Sequence, residues 1–204
     1  MGMDITVLIA DWAHLGEAAP DQRLDLLMDA AFPDEGWDVP DPECGWVWQS
    51  GTDAPWLARY VFRGTSGSYK AHFRTGQAWE KMRDAADADL RATLDRFLSG
   101  LFWYGPNPDD EATHVRGGLF AEKVGRGRGV LLSYPPDDMP VLVKSWVEAQ
   151  PRIGELREPF DAHAVRPTEQ WIRDFDEFAD VLNCWGEVVG EADSRGWGLV
   201  GLPS

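Results

Sequence analysis

Six basic residues fall between positions 59 and 83: Arg59, Arg63, Lys70, Arg74, Lys81 and Arg83, against Glu80 alone. A second run, Arg116, Lys123, Arg126 and Arg128 against Glu122, follows downstream. Both stand out in a chain whose formal charge is -16 at pH 7. If the fold brings them together, they form a cationic site inside an anionic shell. Such a site suits a small anion better than a nucleic acid duplex, whose phosphates the surrounding field repels. Tyr69, His72, Phe73 and Trp79 interleave with the first run and are residue types that stack on a base or sugar. Arg63, Lys70, His72, Arg74 and Trp79 therefore form the candidate ligand-binding set. The alternative is that these arginines simply pair with the chain's own carboxylates.

No catalytic or metal signature emerges beside this set. The turn from Gly64 to Lys70 is glycine-rich like a phosphate loop. It departs from that pattern because its lysine does not follow a glycine and no Ser or Thr follows the lysine. Gly125 to Gly129 reads as a flexible turn able to touch an anion. His14, His72, His114 and His163 are widely separated, and none has the partner spacing of a zinc site. Asp11 with His14, and Asp161 with His163, have the spacing of base–orienter pairs, which thirty-five acids make common by chance. Ser99 lacks the flanking glycines of a nucleophile elbow. Cys44 lies in an acidic neighbourhood, which disfavours a thiolate, and Cys184 reads as a buried helical thiol. Two cysteines are too few for a disulfide framework. No cofactor is implied.

The elements that must hold these residues are legible in the apolar pattern. Ile5 to Ala10 reads as a buried strand. A helix after Pro20 places Leu24, Leu27, Met28 and Ala31 on one face, and Pro33 closes it. Trp46–Trp48 and Trp56–Arg63 read as strands, the second with Trp56, Ala58, Tyr60 and Phe62 sharing a face. Residues 69–74 are ambiguous between strand and helix, whereas 78–86 and 89–98 read as helices. Val130–Tyr134 is a strand. A helix runs from position 138 or 139 to Ala149, and a shorter one from Gly154 to His163 is interrupted by Pro159. From Trp171, apolar residues at 171, 175, 178, 182, 185, 189 and 192 trace a seam along a helix of about seven turns. Thr168 is its expected N-cap and Gly196 its stop. Gly186 and Gly190 are expected to let another element come close. A core helix and a coiled-coil dimer both explain the seam, so monomer and homodimer remain open. Trp197–Leu202 returns as a strand.

The pattern specifies an α+β fold: a single domain over 1–204, with a mixed small sheet packed against several helices, the last one long. Loop excursions are expected at 33–45 and 105–118. The hydrophobic fraction, 44%, and eleven tryptophans supply a large core. Because Asp4 precedes the first apolar run, that run is no secretory leader, and no stretch reaches the length of a membrane span. The cytoplasm is the expected compartment.

The C-terminal half resembles the YfbM-like family of uncharacterised bacterial proteins. The parallel residues are Leu156-Arg157, Phe160-Asp161, Pro167 and Trp171, then the apolar seam and Ala192-Asp193-Ser194-Arg195-Gly196 before a short apolar strand. Upstream, Trp79 in Gln77-Ala78-Trp79-Glu80, Leu98-Ser99-Gly100, Gly117-Gly118-Leu119 and the Met1-Gly2-Met3 start are also similar. The N-terminal half differs, and the chain is longer before Leu98. The resemblance implies an α+β fold and transfers no catalytic residue.

Two functional readings follow. One is a non-catalytic acidic interaction module for a basic protein partner, of the immunity or antitoxin-like kind. The other is a small-anion or nucleotide-binding enzyme using the segment 59–83. Neither a nucleic acid duplex nor a membrane is expected as partner.

Overall fold

The computed structural model describes residues 5–32, 43–48, 55–63, 69–103, 105, 118–120, 129–164 and 172–203. Strand β1 (Ile5–Ala10) is buried at all six positions, as an apolar strand covered on both faces must be. Helix α1 (Trp12–Glu17) starts at Asp11, whose carboxylate accepts the backbone N–H groups of Ala13 and His14. The Asp11–His14 spacing is thus that of a helix cap. Helix α2 (Arg23–Ala31) buries Leu27 and Ala31, while Met28 lies exposed.

Strands β2 (Gly45–Trp48) and β3 (Leu57–Val61) pair with Trp46 opposite Tyr60. The ambiguous stretch resolves into a helix, α3 (Tyr69–Met82), which runs without a break into the part expected to be helical. Asp87 caps α4 (Ala88–Leu98), and Leu90, Leu94, Phe97 and Leu98 face inward as the pattern requires. Strand β4 (Leu132–Tyr134) leads to α5 (Met139–Ala149), a tight helical turn over Gln150–Leu156, and α6 (Arg157–His163). Pro159 does not interrupt α6. It sits in the first turn, where a missing N–H breaks no helical hydrogen bond.

Helix α7 (Phe175–Arg195) is the longest element, followed by β5 (Gly198–Pro203). Asp174, rather than Thr168, is its N-cap, accepting from the Glu177 N–H at 3.0 Å. Thr168 and Trp171 lie outside the described residues. From Phe175 onward the seam is core: Phe178, Leu182, Trp185, Val189 and Ala192 are fully buried. Each large apolar side chain so buried contributes about 1.5–3 kcal/mol. Gly196 ends the helix in the left-handed conformation, with φ of 66°.

The sheet order is β2-β3-β1-β5-β4. Every described pairing between these strands is antiparallel, which corrects the expected mixed sheet. Connectivity explains the difference. β3 follows β2 through a short link, and β5 enters beside β1 directly from the cap of α7. One sheet face, with Val7, Ile9, Ala58, Tyr60, Phe62 and Leu199, packs on α3 to α7. The other, with Leu8, Ala10, Leu57, Val200 and Leu202, packs on Leu15, Leu27, Ala31, Phe120 and Val130. Trp56 belongs to this second side and stacks on His14 at 4.5 Å, not beside Tyr60 as strand alternation suggested. The excursions at 33–45 and 105–118 lie largely outside the described residues. No helix among the described residues is long and apolar enough to cross a membrane.

Candidate functional site

Helix α3 carries four of the five candidate ligand residues, Lys70, His72, Arg74 and Trp79, and two of them, His72 and Trp79, share its buried face. Ala71, His72, Thr75, Ala78, Trp79 and Met82 form its buried stripe. His72 lies among Phe62, Phe102 and Trp185, with ring centroids 4.6, 6.3 and 5.6 Å away. The Trp185 Nε1–H donates to His72 Nδ1 at 3.2 Å. Because an indole nitrogen only donates, Nδ1 is the accepting nitrogen and the imidazole is neutral with its proton on Nε2. Burial pushes its pKa down to about 3, so it stays neutral at physiological pH.

Trp79 is fully buried, and its Nε1–H donates to Asp95 at 2.9 Å. Arg83 clamps the same carboxylate through Nε and Nη2 and lies over the Trp103 ring at 5.3 Å. The hydrogen bond to Asp95 is the main cause of a raised Arg83 pKa. This arrangement fastens α3 to α4. Arg74 is half-buried, donates to Gln77 at 2.8 Å and sits 5.9 Å from the Phe73 ring centroid. The side chain of Lys70 and all of 121–128 lie outside the described residues, so the meeting of the two basic runs does too. His72 and Trp79 are therefore packing residues inside the core, where they offer no stacking wall at the surface. Arg63 is exposed in the turn just after β3.

What Arg63 accompanies is a thiol pair that the sequence does not disclose. The β2–β3 register places Cys44, one residue before β2, beside the Tyr60 hydroxyl at 3.6 Å. Cys184, on the flank of α7, brings its Sγ to 3.9 Å from Cys44 Sγ. Tyr60 donates its hydroxyl proton to Glu187 at 2.6 Å, one turn along α7. Burial and this bond to Glu187 raise the Tyr60 pKa far above the usual phenol range. Burial also pushes the Cys184 thiol up to about 11, while a hydrogen bond from the Arg63 backbone pulls the other way. The Arg63 pKa is raised, first by the charge of Cys44 and then by that of Asp180. Two thiols, a phenol, a carboxylate and a guanidinium thus converge from β2, β3 and α7.

Beside them, Trp46 and Trp48 stand half-buried on β2, with the Arg195 guanidinium over the Trp48 ring at 4.1 Å. Among the described residues, no group of three or more His, Cys, Asp or Glu is arranged to hold a metal. No protein-family model, curated protein or solved structure matches the chain.

Proposed function

We propose that this protein acts chiefly by binding, as an interaction module that presents its carboxylate-rich surface to a basic protein partner. The observation that carries this reading is how its charges are disposed. Several arginines are engaged by carboxylates of the same chain: Arg83 by Asp95, Arg91 by Asp84, Arg152 by Asp87 and Glu155, Arg157 by Asp176, and Arg195 by Glu191. Asp21, in the turn before α2, and Asp25 and Asp29, on the helix, by contrast recur every four residues and are all exposed. No cation among the described residues pairs with them. The unbalanced field is therefore negative and outward, which steers basic partners and repels phosphate backbones. An immunity or antitoxin-like role toward a basic protein is one form of this function.

The test compares the wild type with an Asp21→Asn, Asp25→Asn, Asp29→Asn variant as immobilised baits. The reading predicts basic proteins captured at low ionic strength, released near 0.3 M salt where the screening length falls below about 6 Å, and retained less by the variant. Capture that ignores both salt and the three substitutions refutes it.

We also propose kinship with the YfbM-like family. In support, the residues that carry the resemblance include buried packing positions such as Trp79, Leu98, Leu156 and Phe160. Such residues specify a fold and carry no chemistry.

A further inference from the structure

We propose that Cys44 and Cys184 form a redox site, oxidised by a peroxide to an intramolecular disulfide and reopened by a dithiol reductant. They are the chain's two cysteines, 140 residues apart in sequence, yet their sulfurs lie 3.9 Å from each other. A disulfide needs about 2.0 Å between sulfurs, so a closure of roughly 2 Å completes it. Cys44 flanks an edge strand, where such an adjustment disturbs one side of the ladder only.

The two thiols are not equivalent. Cys44 is half-buried and therefore reachable, and the exposed Arg63 guanidinium beside it would favour a thiolate there. Cys184 is 7% exposed and lies beneath it on α7. Cys44 is thus the thiol that meets the oxidant, and Cys184 the one that resolves the product. Tyr60 gives its own proton to Glu187, so its oxygen is left to accept from a neighbouring thiol. A proton leaving sulfur thereby has a path through Tyr60 to Glu187 and the solvent.

The steps balance. The Cys44 thiolate attacks one oxygen of hydrogen peroxide, the O–O bond breaks, and hydroxide leaves and is protonated to water. This gives a sulfenic acid on Cys44. The Cys184 sulfur then attacks Cys44 Sγ, the S–O bond breaks, and hydroxide leaves with the Cys184 proton as a second water. Two thiols are oxidised by two electrons and one peroxide is reduced to two waters. Thiol–disulfide exchange with a dithiol returns both electrons.

The test uses the purified full-length protein, treated with a few equivalents of hydrogen peroxide, alkylated and weighed intact. The site predicts a monomer about 2 Da lighter than the reduced protein, with no free thiol, restored by dithiothreitol. Because the bond closes a loop of 140 residues, the oxidised form should melt roughly 10 °C higher. In Cys184→Ser the product should instead be Cys44 carrying one added oxygen, about 16 Da heavier. In Cys44→Ser, Cys184 should react at least tenfold more slowly than Cys44 does in Cys184→Ser. Persistence of both thiols, a disulfide-linked dimer, or a Cys44 sulfenic acid beside an unreacted Cys184 in the wild type would each overturn the proposal.

Discussion

A methyl group added at Gly186 should destabilise the protein, whereas the same group at Gly190, one turn along α7, should stabilise it. At Gly186 a Cβ would lie 2.0 Å from Trp146 Nε1 and 2.2 Å from Cε2. Trp146 cannot easily retreat, because it is buried and stacked on Phe97 at 5.1 Å. Overpacking of this kind costs about 3 kcal/mol at the upper end of its range, and replacing glycine by alanine in a helix returns about 1 kcal/mol. Gly186→Ala should therefore lose about 2 kcal/mol. At Gly190 nothing lies within 4 Å of the added carbon, so only the helix gain of about 1 kcal/mol remains. The two variants should differ by about 3 kcal/mol, or roughly 6–12 °C in melting temperature for a chain of this size. Urea titrations followed by tryptophan fluorescence, with equal slopes as a check on two-state behaviour, measure both. Shifts of the same sign in the two variants would refute the packing of Trp146, on α5, against Gly186 of α7.

Other consequences follow from the buried polar groups. His72 has a folded pKa near 3 against about 6.5 when unfolded, so below pH 6.5 the unfolded chain binds the extra proton. Stability is complete above that pH and falls by up to about 1.4 kcal/mol per pH unit as pH drops toward 3. Denaturation midpoints measured against pH should show this slope in the wild type and a shallower one in His72→Gln. Asp95→Ala removes the acceptor of buried Trp79 and the partner of Arg83, and should cost about 2–3 kcal/mol. Asp84→Ala removes two exposed ion pairs, to Arg83 and Arg91, and should cost less than about 1 kcal/mol, by the same titration. His72→Leu leaves the Trp185 indole N–H without its acceptor and should cost about 1–3 kcal/mol, together with altered tryptophan emission.

How much of this was legible in the chain depends on the residue types involved. The seam of α7 could be read because Phe178, Leu182, Trp185, Val189 and Ala192 are all apolar and repeat at helical spacing. The stripe of α3 has equally regular spacing, but His72 and Thr75 occupy two of its buried positions and look polar. That disguise made residues 69–74 ambiguous and made His72 and Trp79 resemble ligand contacts. Trp56 was assigned to the wrong side because alternation fails just before β3 begins. The Cys44–Cys184 meeting was illegible. It depends on the β2–β3 register and on where α7 crosses it, and no local pattern encodes either. Arg63 was singled out for its charge, and the structure gives it a thiol as neighbour.

The claim that the outward carboxylates serve a basic partner is tested most directly by the salt dependence of one captured complex. Its dissociation constant, measured across a series of salt concentrations, should rise steeply with salt, and less steeply when Asp21, Asp25 and Asp29 are neutralised together. A constant that holds steady from low to physiological salt in both proteins would contradict it.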